Sequence, residues 1–255
     1  MMDSVRIKIL ACKVLFRELS LIAAASKHFI DITYLRQSFH DQPEVLRSQL
    51  QSEIDRIDAA EDPYSYHQYF DEDFDAVVLA YGLCSNATMG LRSRRYRLVL
   101  PRAHDCITLL LGSRDRYREY FDKHPGTYWY TCGWNESVPM PGERRYNWNR
   151  RDYAEKYGED NADYLMTMEQ DWMRKYDRAV FVRWPEIDSE SAIGQTRDAA
   201  SFLGWQFDEL SGNSELLRAL AEADWDDRFL VLEPGDKAEP SYDSRIIRST
   251  SEETR

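Results

Sequence analysis

The sequence lacks the features of membrane and secreted proteins. Its longest apolar runs, such as residues 19–25, fall far short of the ~20 residues that a bilayer-spanning helix needs. The N-terminus has no basic segment followed by an apolar core and a small-residue cleavage site. We therefore expect no membrane partner and a cytoplasmic location, where cysteines normally stay reduced.

Positive charge is also scarce. The chain has 33 Lys and Arg residues against 45 Asp and Glu, which gives a net charge of −12 over 255 residues. Because phosphate backbones attract basic surfaces, nucleic-acid partners are not expected. One arginine-rich segment stands out as either a solvated face or a site for an anionic substrate or cofactor. It contains Arg92, Arg94, Arg95, Arg97 and Arg102.

Several motifs that would assign a reaction are missing. The four cysteines form no C-x-x-C pair, so neither a zinc ribbon nor a thioredoxin-type motif is present. No G-x-G-x-x-G and no P-loop occur, and nucleotide binding therefore has no motif to support it. Serine hydrolases and zincins are equally unsupported, since G-x-S-x-G and H-E-x-x-H are absent.

What is present is an alternation of strand-like and helix-like patterns. It predicts an α/β fold with a mainly parallel, Rossmann-like open sheet flanked by helices. We expect a single domain over 1–235, or two lobes meeting near 138–151, and a disordered tail over 236–255. Strands are predicted at 7–11, 29–35, 76–82, 96–100, 127–131, 179–183, 205–210 and 228–232. Helices are predicted at 14–26, 41–57, 153–176, 189–203 and 214–223. An apolar run over 107–111 continues after Gly112-Ser113 as 114–123, and 138–151 is predicted to be an exposed loop or a small boundary.

Three cysteines come directly or shortly after predicted strands. Cys12 directly follows the strand at 7–11, Cys84 follows 76–82, and Cys106 follows 96–100. Ligands of open α/β sheets bind outside the carboxyl ends of the strands, so we expect these thiols to converge. A thiolate cluster favours zinc, iron–sulfur or cobalt chemistry over magnesium or calcium. Each cysteine alone would equally suit the core as a small buried residue.

The residues around Cys106 and Cys84 suggest further roles. A helix starting near Asp105 would favour a thiolate at Cys106 through its dipole. His104 could then ligate a metal, act as a general base, or remain a polar loop residue that Asp105 satisfies. After the 76–82 strand, Gly82, Ser85 and Asn86 form a polar loop whose backbone N–H groups could bind a cofactor.

Two more residues could join such a site. Cys132 follows the 127–131 strand, but neighbouring aromatics would equally make it part of an apolar pocket wall. His40 precedes the helix predicted at 41–57 and could reach the same crevice. The sequence leaves both possibilities open.

The motifs together resemble the bacterial and archaeal domain-of-unknown-function family 1638, from Ile7 to about Leu232. The matching segments are Leu10-Ala11-Cys12, Phe39-His40-Asp41-Gln42-Pro43, Tyr81-Gly82-Leu83-Cys84, His104-Asp105-Cys106 and Gly126-Thr127-Tyr128. Genes of this family often neighbour those of corrinoid-dependent methyltransferases. The resemblance therefore implies one-carbon or methyl-transfer metabolism, with a corrinoid methyltransferase component as a partner.

Three functional hypotheses follow. The first is a metal-dependent transferase with a small-molecule substrate, in which Cys12, Cys84 and Cys106 hold zinc or a [4Fe–4S] cluster. The fourth ligand would be His104, Cys132 or the substrate, and His104 and Cys106 would be catalytic. The second is a non-catalytic accessory protein that carries a metal or a corrinoid. The third is a metal-free thiol enzyme with Cys106 as nucleophile and His104 as base.

Overall fold

A computed structural model describes residues 4–37, 42–61, 73–241, 243 and 245–251 of the chain. They divide into two compact units. The first comprises residues 1–114 and 213–255, and the second comprises residues 115–212. This division differs from the boundary predicted near 138–151, which falls inside the second unit.

The first unit is built on a five-stranded sheet in the order β2-β1-β3-β4-β8. Strands β1 to β4 are parallel, and β8 is antiparallel to β4. The predicted α/β fold with a mainly parallel sheet is confirmed. The strands are β1 (Arg6–Cys12), β2 (Phe29–Leu35), β3 (Ala76–Ala80), β4 (Arg97–Pro101) and β8 (Phe229–Leu232).

Helices cover this sheet because their apolar residues recur at helical spacing. The helices are α1 (Phe16–Ala25), α2 (Pro43–Asp58), α3 (Cys106–Leu111) and α9 (Glu215–Ala221), and a 3-10 turn (Lys13–Leu15) precedes α1. In α2, Leu46, Leu50 and Ile54 are fully buried along one face. Strand β3 is buried at every residue, as expected for a central parallel strand covered on both faces.

A charge pair joins the edge strand β2 of the same sheet to its neighbour β1. Lys8 of β1 is fully buried, and its ammonium lies 3.1 Å from the Asp31 carboxylate of β2. The two residues are direct partners in the strand register. A buried ammonium is tolerated because a carboxylate compensates its charge.

The end of the chain contributes a small antiparallel pair, β9 (Ala238–Pro240) and β10 (Ile247–Ser249). Ala238 and Ile247 are buried, and the Arg102 guanidinium donates to the Ile247 carbonyl. The polar composition of 236–255 predicts disorder. The described part of this segment is instead held by main-chain pairing and a few buried side chains.

The second unit has a parallel sheet in the order β5-β6-β7. Its strands are β5 (Thr127–Tyr130), β6 (Arg178–Arg183) and β7 (Gln206–Ser211), and its helices are α4 (Arg114–Lys123), α5 (Cys132–Ser137), α6 (Glu143–Tyr157), α7 (Glu159–Met173) and α8 (Glu190–Leu203). The predicted loop over 138–151 is wrong over most of its length, because α6 starts at Glu143, directly after Gly142. The single helix predicted over 153–176 is interrupted at Gly158, which has a φ of 84°.

Among the described residues, no helix is both long enough and apolar enough to cross a lipid bilayer.

Candidate metal and thiol site

The strand order of the first unit defines where a ligand would bind. Strand β1 lies between β2 and β3, so the strands that follow β1 in sequence lie on both sides of it in the sheet. In such sheets the crevice forms at the carboxyl ends of the two strands where the direction switches. Cys12 is the last residue of β1, and Tyr81 follows β3 directly. The first cysteine therefore lies at this switch point.

Tyr81 follows β3 beside the end of β1. The register pairs Ala11 with Ala80, the last residue of β3, and Cys12 and Tyr81 are the residues that follow this pair. Burial is the main cause that raises the pKa of Tyr81, and the charges of Cys12, Cys84 and Cys106 raise it further. The convergence of these three cysteines on one metal ion stays a prediction.

Backbone contacts hold the loops after β3 and β4 together. The Leu83 N–H donates to the Ala103 carbonyl at 2.8 Å, and the Cys84 N–H donates to the His104 carbonyl at 3.1 Å. Gly82 permits this approach, since a Cβ there would lie 2.5 Å from the Asp105 nitrogen. The sequence predicts Gly82 as a cofactor-binding residue. Its evident role is to let one backbone segment pack on the other.

The loop after Gly82 adopts a rare conformation. Cys84, Ser85 and Asn86 have φ values of 47°, 57° and 66°. Such left-handed backbone costs about 1–2 kcal/mol for each non-glycine residue, and less for asparagine. The turn is anchored where Arg47 donates to the Asn86 carbonyl at 2.7 Å. Strain of this kind concentrates at functional sites, which makes this turn a candidate ligand loop.

Substituting glycine at Ser85 should release part of this strain. Ser85 is exposed, so its side chain has little packing to lose. We expect Ser85→Gly to raise the free energy of unfolding by about 0.5–1 kcal/mol, because glycine reaches positive φ without a steric penalty. Denaturant unfolding would measure this change. Ser85→Ala is the control and should not stabilise the protein; equal values for the two variants would contradict the interpretation.

The cysteine sulfurs sit in a dry environment. Burial raises the pKa of Cys12 to about 12, while a hydrogen bond from the Val14 N–H lowers it to a smaller extent. Burial also raises the pKa of Cys84, as do the charges of Cys12 and Asp105, against a bond from the Gly82 N–H. Without a cation nearby, these two thiols are protonated at neutral pH. Each backbone donor, however, is placed to stabilise a thiolate once a cation compensates the charge.

These shifts predict how the stability of the metal-free protein depends on pH. The Cys12 thiol has a pKa of about 12 in the folded chain, against an ordinary value of 9.0. Below pH 9 both states keep the proton, so burial of the neutral thiol stabilises the fold. Above that pH the Cys12 thiol ionises only in the unfolded chain. We therefore expect Cys12 to lower the free energy of unfolding by about 1.4 kcal/mol per pH unit.

Denaturant unfolding at pH 8 and pH 10, with a chelator and a reductant, would measure this dependence. Other groups also titrate in this range, so Cys12→Ala serves as the control and should show a shallower decline. The same decline in both proteins would contradict the burial of a neutral thiol at Cys12.

Cys106 and His104 have different environments. Cys106 is buried and is the first residue of α3, while Asp105 caps this helix by accepting from the Thr108 N–H at 3.1 Å. The helix start predicted at Asp105 or Cys106 is therefore confirmed. His104 is exposed. Its carbonyl accepts from the Cys84 N–H.

The three cysteine thiols are ligands of the type that a soft metal prefers, but their side chains are not spaced to bind one ion. Among the residues that the structure describes, no three His, Cys, Asp or Glu side chains are already arranged to hold a metal ion. Binding would thus require the thiol side chains to close on the ion. The thiols, their backbone donors and the surrounding burial fit a thiophilic cation better than a hard cation such as magnesium, which prefers oxygen ligands.

The two additional ligand candidates are placed differently. Cys132 lies in the second unit, where it packs in an apolar cluster with Tyr130, Phe181 and Ile193. This environment matches the pocket-wall alternative for that residue. His40 falls outside the described residues.

The arginine-rich segment is largely engaged in contacts with the protein itself. The Arg95 guanidinium pairs with Asp73, and that of Arg97 lies 3.6 Å from Glu233. Arg102 donates to main-chain carbonyls, including that of Phe229 at 3.3 Å. These contacts favour the structural alternative over a dedicated anion site for the three residues.

Sequence reasoning missed Tyr81. It follows β3 directly and is 1% exposed, and its hydroxyl oxygen is buried. A signal was available, because it is a polar aromatic at the end of an otherwise aliphatic strand. Its significance depends on the register between β1 and β3, which the sequence pattern does not define.

The protein is an α/β protein with a mainly parallel sheet, and the buried Cys12 ends the strand at its switch point. The model of a family described as protein of unknown function (DUF1638) matches residues 34–221. The chain belongs to this family. Comparison with curated proteins and with solved structures gave no match.

Proposed function

We propose that this protein binds a thiophilic metal ion, with zinc as the preferred metal, through Cys12, Cys84 and Cys106. The observation that supports this most is that the three cysteines are all buried and lie at or after the ends of the parallel strands β1, β3 and β4. Three protein ligands would leave one coordination position open, which is typical of catalytic zinc. His104 or a substrate atom would complete the site.

We further propose that the protein acts in methyl transfer in the cytoplasm. When bound, zinc would supply a Lewis acid that keeps a substrate thiol ionised as a nucleophile. The chain itself would exclude water through the burial of Cys12 and Cys84, and would support their sulfurs with the Val14 and Gly82 N–H groups. The link to corrinoid-dependent one-carbon metabolism and to a methyltransferase partner depends on the family resemblance alone.

The alternatives differ in what they require of the thiols. A metal-free thiol enzyme needs a thiolate near neutral pH, and burial opposes this at Cys12 and Cys84. A [4Fe–4S] cluster with one open iron would use the same three cysteines. An accessory role would keep the metal or a corrinoid bound without turnover.

Metal analysis of protein purified without oxygen would separate these possibilities. We expect about one zinc per chain in a colourless sample, as one closed set of thiolates implies. Iron together with sulfide and broad visible absorption would show that the protein holds an iron–sulfur cluster and not zinc. No metal, even after incubation with zinc and a reductant, would overturn the proposal and leave the thiol enzyme as the alternative.

A further inference from the structure

The two edges of the sheet in the first unit are protected to different degrees. Strand β8 forms one edge, is only four residues long and is buried at three of them. Strand β2 forms the other edge, is seven residues long and is half-buried at every residue except Leu35. Within the described part of the chain, β1 is the one strand that pairs with β2. A long, exposed edge strand is a template for pairing with another chain.

The composition of β2 does nothing to prevent such pairing. Natural edge strands are commonly blocked by proline, by lysine or by a bulge, and β2 contains neither proline nor lysine. Its single charged residue is Asp31, whose carboxylate lies 3.1 Å from the Lys8 ammonium. The edge is therefore apolar and nearly neutral, which suits a second protein strand.

The main chain of β2 presents free pairing positions at every second residue. The Phe29 N–H donates to the Val5 carbonyl, on the side of β1. Because main-chain groups alternate in direction along a strand, the N–H and C=O groups of Ile30, Ile32 and Tyr34 point away from β1. A further strand would form its hydrogen bonds with these groups.

Strand β2 is complementary to itself when a second copy runs antiparallel to it about Ile32. Ile32 then lies opposite its own equivalent, and Ile30 lies opposite Tyr34 on both sides, so the outward residues form hydrogen-bonded pairs. Asp31 falls opposite Thr33, whose hydroxyl is a donor for a carboxylate. No two like charges meet in this register.

Helix α1 adds apolar surface beside the same edge. The Phe16 ring contacts the Tyr34 ring edge to face, with centroids 5.3 Å apart. Phe16 is 43% exposed and Leu21, further along the helix, is 41% exposed. A stable interface buries more surface than two paired strands alone supply. Exposed apolar side chains on α1 would contribute to the remainder.

We propose that two copies of this chain associate through β2, paired antiparallel about Ile32, so that the sheets of their first units continue into one another. A second copy is the expected partner because β2 matches itself both in its apolar residues and in the placement of its one charge. The interface is isologous, and a two-fold axis closes it.

Thr33→Glu and Thr33→Lys form a matched pair that tests this register. In the dimer each places a new charge directly opposite Asp31, twice across the two-fold axis. We expect Thr33→Glu to raise the dissociation constant of the dimer about tenfold or more at low salt, because like charges then face one another. Thr33→Lys should dimerise at least as tightly as wild type. Sedimentation over a range of concentrations would measure this, and circular dichroism would check that both variants fold.

Amide hydrogen exchange locates the interface without any substitution. The outward N–H groups of Ile30, Ile32 and Tyr34 should exchange slowly at concentrations where the dimer forms and faster on dilution. The N–H groups of Asp31 and Leu35 point toward β1, so dilution should leave their exchange unchanged. This comparison still tests the proposal if Thr33→Glu does not fold.

Each contrary result overturns the proposal. A wild-type protein that stays monomeric up to its highest soluble concentration has no such interface. A dimer that neither substitution affects, or whose outward β2 amides exchange at the same rate after dilution, forms through another surface. Equal weakening by Thr33→Glu and Thr33→Lys would contradict the register that places Thr33 opposite Asp31.

Discussion

Replacing Cys84 by serine should abolish zinc binding while the chain stays folded. Cys84 is buried and is one of the three proposed ligands, so its loss removes a ligand directly. Serine has a similar size but is a poor ligand for a soft metal. Loss of a residue that only supports a ligand lowers metal affinity roughly 10–100-fold. We expect the loss of Cys84 to lower zinc affinity by more than this. Metal analysis beside circular dichroism would measure both effects.

Cys132→Ser is the matched control for this experiment. It is the same substitution at another buried cysteine, placed in the apolar cluster of the second unit. It should lower stability through the burial of a hydroxyl, yet keep about one zinc per chain, as a site made by the other three thiols requires. Equal metal content in wild type and Cys84→Ser would reject Cys84 as a ligand. Loss of metal in Cys132→Ser would place that residue in the site.

Gly82→Ala should have the largest effect on the fold. An added Cβ would lie 2.5 Å from the Asp105 nitrogen and 2.6 Å from its Cα, both of which are main-chain atoms. The loops after β3 and β4 would have to separate, and Cys84 would move away from Cys106. We expect a destabilisation of about 3 kcal/mol or more, at the upper end for overpacking. Zinc binding should be lost with it.

Gly194→Ala is the same chemical change, but we expect it to stabilise the protein. Gly194 lies inside α8, and no atom lies within 4 Å of an added Cβ. Because alanine favours a helix over glycine, this variant should gain about 0.5–1 kcal/mol. Denaturant unfolding of both variants would check the pair. A Gly82→Ala protein as stable as wild type would show that the two loops do not need this close approach.

The order of the strands along the chain could be predicted because their composition carries a strong signal. Residues 76–80 are aliphatic throughout, and the structure buries every one of them as β3. All eight predicted strands are present, since each combines a short apolar run with clear flanking breaks. The amino-acid sequence alone therefore placed Cys12, Cys84 and Cys106 at or after the ends of three of these strands.

Other features depend on contacts that a sequence pattern does not contain. Helix α6 starts directly after a proline- and glycine-containing segment, and the arginines in it suit a helix as well as a loop. Strands β9 and β10 are only three residues each and are stabilised by pairing with one another. The need for glycine at position 82 arises from Asp105, which lies far along the chain in the loop after β4.

The candidate site also has features that the sequence pattern does not predict. The sequence indicated which cysteines follow neighbouring strands, but the left-handed turn at 84–86 has no glycine that would have revealed it. Tyr81 comes beside Cys12 only through the register between β1 and β3. His104 is close to Cys106 in sequence, yet it is exposed while Cys106 is buried. Proximity along the chain did not establish a shared environment for these two residues.

X-ray absorption at the zinc edge of the zinc-loaded protein would test the central claim most directly, because it counts the sulfur atoms bound to the metal. For the proposed site we expect three sulfurs at ~2.3 Å and one nitrogen or oxygen at ~2.0–2.1 Å from the zinc. The sulfur count should fall to two or fewer, or the zinc should be absent, in Cys84→Ser. A zinc shell made only of nitrogen and oxygen atoms, or unchanged by that substitution, would contradict a site built on Cys12, Cys84 and Cys106.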